Sequence, residues 1–427
     1  MRSVEKQQQS CPQCAAVVEA DPRFVTWCPA CDWNLDPRPK QPDPDRLHRA
    51  RRALARRHGE RLLATVTAGH SLRARRDASS LLGYAIALAV HGLTAAVALA
   101  GVWCLVRGWG GFAMAPGAVL LVIAWALRPR TAKPAGTGPV LLREDAPALY
   151  ALIDEIAADV GTRGVELITV GTDVNAAVLP VGLRGRRTLQ LGLPLWEMLA
   201  PQQKVALLGH ELGHYANGDT RHGLVVATAY RSLTTWYYFV APALSPTPVE
   251  MAVNLLYAGP RLLLRGVLFV LDRLMLQASQ RAEYLADRTA AHAGSTAAAV
   301  GLMDRLLVTD SVGLLLRREA NRAAMAGGRG VREAQAGADG MWERLTAYMA
   351  SIPESEYERQ RRVGALRGHS VDSTHPPTHL RRTSLTAGPS APAAVVMDAD
   401  RERLVAAELA AARTAVARRI VRDGYGG

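Results

Sequence analysis

"LLGHELGHYANGD" (residues 207–219) puts two histidines four positions apart, with a glutamate directly after the first. With 11 His in 427 residues, H-E-x-x-H arises by accident on the order of once in a hundred such sequences. On a helix, residues i and i+4 lie one above the other on the same face. His210 and His214 can therefore offer two imidazole nitrogens to one tetrahedral zinc ion. Glu211 projects about 100° further round, beside the metal rather than on it. That is where a general base must stand to take a proton from an activated water. The flanking residues predict the helix itself. Pro201 suits a first turn, Val205, Leu208 and Leu212 form an apolar stripe, and "NGD" at 217–219 is a stop signal.

A catalytic zinc normally takes three protein ligands and keeps one position open. The third ligand has to come from elsewhere in the chain. "QASQRAEYLADRTAAHAG" (277–294) has an alanine-rich helical pattern with Glu283 and Asp287 four apart. One face of that helix would carry a carboxylate for zinc. A second carboxylate one turn on would accept the N–H of a ligand histidine and fix its tautomer. The residues alone leave another reading open, a surface helix whose Glu283 and Asp287 pair with Arg281 and Arg288.

HELGH, the later "EYLAD", and "STHPPTHLRR" (373–382) together resemble the membrane zinc endopeptidases of the HtpX and CAAX-prenyl-protease type. "VNAAVLPVG" (174–182) is similar to the family's Asn-Ala strand beside the substrate cleft, and the resemblance spans roughly residues 140–385. It implies that His210, His214 and Glu283 bind the catalytic zinc, with Glu211 as the base and Asp287 behind the ligands. It also implies that His375 contacts substrate; since zinc neutralises only part of an oxyanion's charge, His375 is the expected donor to it, and Asn175 is expected to hold the substrate backbone. A loop histidine that merely caps the following helix is the plainer reading of His375. Two features depart from the family pattern: the cysteine-rich N-terminus, and the arginines in the helices between the two zinc motifs.

A net charge of +13 and a pI near 10 suggest nucleic acid at first sight. The excess is local, however. Residues 38–76 hold 12 Lys+Arg against 3 Asp+Glu, a net of +9. An uncharged run at 79–106 follows, then "RGWGG" and a second apolar run at 112–127. The first exceeds the roughly 20 residues that cross a bilayer, and Trp103, Trp109 and Trp125 sit near the ends. A membrane hairpin is the expectation. Both flanks are basic and the turn is short, which places both ends, the N-terminus and the catalytic part in the cytoplasm of a multi-pass protein of the cell membrane. The basic block 46–76 is suited to lie on anionic headgroups. The N-terminus is polar and does not read as a cleavable signal.

"CPQC" (11–14) and "CPAC" (28–31) form a four-thiolate set, Cys11, Cys14, Cys28 and Cys31, suited to a closed, structural zinc ribbon. Two disulfides fit a reducing cytosolic face badly. Cys104 lies in the first apolar run and reads as a packed side chain. The cofactors expected are thus one catalytic and one structural zinc.

Residues 223–244 are long enough to span a bilayer but carry Arg231, and 261–277 carry Arg261, Arg265 and Asp272 as a polar stripe. Arginine is costly in lipid, so the charge pattern favours two spans over four. "EDAPALYALIDEIAADVG" reads as a helix, and "VELITV" and "RTLQLG" as short strands around the NAAV segment. "GPSAPAA" (388–394) reads as a linker before a capped, alanine-rich helix with no evident chemistry. The expected fold is mainly α with a small β-sheet (α+β). Its parts are a zinc ribbon (1–36), a basic juxtamembrane segment (37–78), a transmembrane hairpin (79–128), a metallopeptidase domain (140–387), and a linker with a C-terminal helix (388–427). The expected function is a membrane zinc endopeptidase acting on peptides or membrane proteins, with a protein partner for the ribbon. A non-enzymatic membrane adaptor and a nucleic-acid-binding ribbon protein are the competing readings. Intact Glu211 weighs against the first, and the charge confined beside the span weighs against the second.

Overall fold

The computed structural model describes residues 7–38, 46–68, 78–112, 114–129, 138–181, 186–217, 219–242, 247–325, 338–368 and 375–426. Parts of the basic segment (39–45 and 69–77), Gly218 and residues 373–374 of the STHPPTH stretch lie outside these. The chain is mostly helical with two small sheets, as the patterns require.

The N-terminal ribbon pairs β1 (Gln7–Ser10) with β2 (Val17–Ala20), antiparallel. The second sheet has the order β3-β4-β6-β5, from Val140–Leu141, Leu167–Gly171, Ala176–Val181 and Arg186–Gly192. β4 runs parallel to β6, while β3 and β5 are antiparallel to their neighbours, which leaves β5 on an edge among the described residues. Helix α4 (Pro147–Asp159) covers this sheet by burying Leu149, Ile153 and Ile156 at a helical spacing.

Helix α1 is Arg46–Thr67, and the apolar runs form α2 (Ala78–Arg107) and α3 (Met114–Leu127). The last two make a close hairpin. A Cβ on Gly101 would come within 2.9 Å of the Leu121 side chain. Among the described residues one helix, Ser79–Arg107, is long and apolar enough to cross a membrane, and Met114–Leu127 is shorter. The hairpin does not stand alone. α7 (Asp219–Phe239) and the first part of α9 (Ala258–Gly294) pack against it around Ala87, Val90, Ala229, Leu233 and Leu271. The 261–277 stretch with its polar stripe forms the start of a 37-residue helix that packs on the hairpin by Leu271 and keeps Leu262 and Leu263 exposed. Its Arg261 is used internally, donating from Nε to the Val240 carbonyl at 2.8 Å. Outward faces of this bundle are apolar, including Leu99, Trp103, Tyr238, Leu262 and Leu263.

The C-terminal part is integral to the main core. Residues 391–397 form a strap. Ala394 N donates to His292 O at 3.1 Å, Val395 N to Ala293 O at 3.0 Å, and Gln202 Nε2 to Val395 O at 2.7 Å. The expected single helix breaks at Leu409 into α15 (Ala399–Glu408) and α16 (Ala410–Asp423). Glu408 accepts the Ala148 and Leu149 amides at 2.7 and 2.9 Å. It thereby caps α4, whose own N-cap residue, Ala146, has no side chain able to do so.

Candidate metal centre

The HELGH helix, α6 (Pro201–Ala216), begins at its proline and is closed by Asn217. It lies directly on the second half of α9, because both helices are small where they meet. A Cβ on Gly209 would stand 2.8 Å from that of Ala293, and one on Gly213 would stand 2.9 Å from that of Thr289. This close approach brings the histidine face of α6 against Glu283 and Asp287.

His210 Nε2 is 3.4 Å from Glu283 Oε2, and His214 Nε2 is 3.6 Å from Glu283 Oε1. The His210 and His214 rings stand edge to face with centroids 4.9 Å apart. His375 arrives from the segment before α14 (Thr378–Ala387), with Nε2 3.3 Å from Glu283 Oε1. Ligand atoms of His210, Glu283 and His375 all lie within 4.8 Å of one another. A tetrahedral site with bonds of ~2.0–2.1 Å has ligand atoms about 3.3–3.4 Å apart. The His–Glu separations fit that figure. Among the described residues Glu283 Oε2 is also buried with no hydrogen-bond partner, a group that a cation would satisfy.

Behind the cluster, His210 Nδ1 lies 3.1 Å from Asp287 Oδ1. Arg381 of α14 meets Asp287 with two N–H groups, Nε to Oδ2 at 2.8 Å and Nη2 to Oδ1 at 2.6 Å. Arg381 Nη2 also stands 3.4 Å from Glu283 Oε2. Asp287 is 1% exposed and Arg381 2%. Burial disfavours both carboxylates, yet the Arg381 guanidinium holds Glu283 and Asp287 well below the usual carboxylate range. Burial likewise opposes charging His210, but Asp287 and Glu283 raise it to about 10. The site is built around anionic oxygen and favours a cation at its centre. Arg381 escaped the sequence reading, since its partner Asp287 lies on another helix and no local spacing links them.

Glu211 is partly exposed, and its Oε2 accepts the Val178 amide of β5 at 3.3 Å. Asn175 precedes that strand. Its Oδ1 accepts the Ala176 amide at 2.9 Å and its carbonyl accepts Gly192 N at 2.8 Å. Among the described contacts Asn175 makes none with the His–Glu cluster, and the strand between it and Val178 is the link to Glu211.

The four N-terminal cysteines also converge. Cys11 and Cys31 sulfurs are 3.7 Å apart, and those of Cys14 and Cys28 3.6 Å. Thiolates held at ~2.3 Å by a tetrahedral zinc would be about 3.8 Å apart. Disulfide sulfurs would be at ~2.05 Å. The ribbon docks on α13 (Glu354–Arg367). Trp27 and Leu35 bury against Val363, Arg359 Nη1 donates to Leu35 O at 2.9 Å, and Arg362 Nη1 to Asp32 Oδ1 at 2.7 Å.

Residues 148–387 match the family described as peptidase family M48. The chain is also similar to "Protease HtpX" of Pseudomonas putida (strain W619), with 25% identity over 237 residues, covering 54% of this chain and 77% of that protein. No solved structure matches.

Proposed function

The chain belongs to peptidase family M48, a family of zinc metallopeptidases, and on that footing we propose that it is a membrane-bound zinc endopeptidase working at the cytosolic face. The observation that carries this reading is the convergence of α6, α9 and the 375 segment on one buried carboxylate, Glu283, with Glu211 alongside. His210, His214 and Glu283 would hold the catalytic zinc. When bound, zinc supplies Lewis-acid polarisation of the scissile carbonyl and lowers the pKa of water at the site.

The remaining work falls to the chain's own residues. Glu211 takes a proton from the attacking water and returns it to the leaving amine. Asp287 accepts the His210 Nδ1 proton, which leaves Nε2 facing Glu283 as a lone-pair donor. Arg381 keeps Asp287 ionised for that purpose. His375 reaches the same carboxylate from a separate element and donates to the substrate oxygen as negative charge develops there. Asn175 and the adjoining strand hold substrate backbone. The cysteine ribbon carries the second, structural zinc. Its Trp27 face is occupied by α13, which weighs against a nucleic-acid role for that face.

Membrane attachment is supported by the 29-residue apolar helix and the apolar outer faces of its neighbours. The basic flank at 38–76 supports the cytosolic orientation. Reporters fused after Arg76 and after Lys133 should both read cytoplasm, and an external signal from the second would move the active centre across the membrane.

The chemical test uses Glu211→Gln in the full chain, purified in detergent with zinc. The amide keeps the shape but cannot accept the proton, so zinc stays while turnover of a peptide or unfolded protein collapses. Proteolysis retained by the pure variant would exclude Glu211 as the base.

A further inference from the structure

β5 is the edge of its sheet and lies beside Glu211, so what that edge offers decides how a peptide can be held. Its geometry follows from the register. Ala176 pairs with Leu191 and Val178 with Leu189, and Gly192 N donates to Asn175 O. Hydrogen-bonded and non-hydrogen-bonded pairs alternate along an antiparallel ladder. Asn175, Ala177, Leu179 and Val181 therefore turn their peptide groups to β6, and Ala176, Val178 and Pro180 turn theirs away from it, to the open edge.

Those three outward positions differ in one respect. The Ala176 amide is taken by the Asn175 side chain, at 2.9 Å. The Val178 amide is taken by Glu211, at 3.3 Å. Pro180 has no amide hydrogen at all. The edge is thus capped in the absence of a partner, a common protection against strand-to-strand association. An incoming extended peptide can exchange bonds in both directions at Ala176 and Val178, once Asn175 and Glu211 yield those amides. At Pro180 it can only donate. Proline on an edge strand is tolerated because its missing donor faces outward, and for the same reason it ends a two-way ladder.

We propose that Pro180 is the specificity-determining residue that ends substrate pairing on β5, so that the cleft grips extended backbone along Ala176–Val178 and releases it beyond. This rests on the peptidase reading above, and its ligand class is an extended peptide with unblocked main-chain amides. A consequence is asymmetry. Lengthening a substrate at the end lying along Ala176 should improve binding until that strand is filled, and lengthening it at the other end should not.

The experiment takes the full-length zinc enzyme and its Pro180→Val and Pro180→Ala variants in detergent. The probes are internally quenched fluorescent peptides of one sequence around one scissile bond, extended a residue at a time at either end. In the natural enzyme KM is expected to fall with extension at one end only. In both variants the second end should respond too, with KM for the longest peptide falling about 3- to 10-fold relative to the shortest, the worth of one added peptide hydrogen bond. Val and Ala share the restored amide and differ in side chain, so a response in Val alone would make it a packing effect and overturn the inference. KM that falls at both ends in the natural enzyme, or a second end that stays silent in both variants, also overturns it. If no peptide in the series is cleaved by any of the three proteins, the peptidase reading falls and takes this one with it.

Discussion

Trp27 of the cysteine ribbon donates its indole N–H to the carbonyl oxygen of Ser355, 3.2 Å away and 328 positions on in the chain. Its ring is 6% exposed, shares an apolar contact with Leu35 and Val363, and lies under the Arg362 guanidinium. Helix α13, which receives it, is tied by Arg361 to Asp304, and Asp304 also accepts from Arg382, the neighbour of Arg381. The ribbon is therefore packed onto the element that leads toward His375. Trp27→Ala should weaken that docking by about 2 kcal/mol or more, as for a buried aromatic anchor. Amide hydrogen exchange within 354–367 is then expected to rise about 30-fold. Unchanged exchange there would mean that the helix stands without the ribbon.

Metal content is expected to be two zinc ions per chain, held by different chemistry. Cys11→Ser combined with Cys14→Ser should reduce the count to one. Glu283→Ala should also reduce it to one, and the three changes together to none. A full chain that binds a single zinc, or a cysteine variant that keeps two, would show that the clusters have been misassigned.

The two remaining histidines of the site should separate cleanly. His214→Ala is expected to lose the catalytic zinc and with it all turnover. His375→Ala is expected to keep zinc and lower kcat about 10²–10³-fold, the usual loss for one oxyanion donor. His375 is nevertheless as close to Glu283 as His214 is, at 3.3 against 3.6 Å. Metal lost from His375→Ala and retained by His214→Ala would make His375 the third ligand instead.

Asp287 and Arg381 form a fully buried pair, and removing one partner strands the other charge. Asp287→Ala should destabilise the chain by about 3–5 kcal/mol and weaken zinc binding about 10–100-fold. The double variant Asp287→Ala with Arg381→Met should be less destabilised than the two single losses added together. Additive losses in a denaturation cycle would contradict a coupled pair.

How much of this was legible in advance depends on how far apart the cooperating residues lie in the chain. The α6 helix could be read residue by residue, since its proline start, apolar stripe and stop are local signals. The strands at 167–171 and 186–192 were visible as short β-branched and aliphatic runs. The 261–277 helix was harder. Its charges read as a surface stripe, and Leu262 and Leu263 do lie exposed, but Arg261 donates to Val240 O just past the end of α7, a partner that no local pattern shows. Helices α15 and α16 carried no legible role, because Glu408 acts on α4, at amides some 260 positions away.

By itself the sequence determined the chemistry available. Two imidazoles one helical turn apart, two thiolates within each knuckle and an apolar hairpin are all patterns of short period, and local backbone geometry alone converts each into a shared face. Only the tertiary structure decided the company these groups keep. It set Arg381 against Asp287, His375 against Glu283, Val178 against Glu211 and the ribbon against α13. Those contacts join residues with no periodic relation in the chain. They exist because small side chains let α6 and α9 approach closely, and because an edge strand and a docked helix have polar groups that something must satisfy.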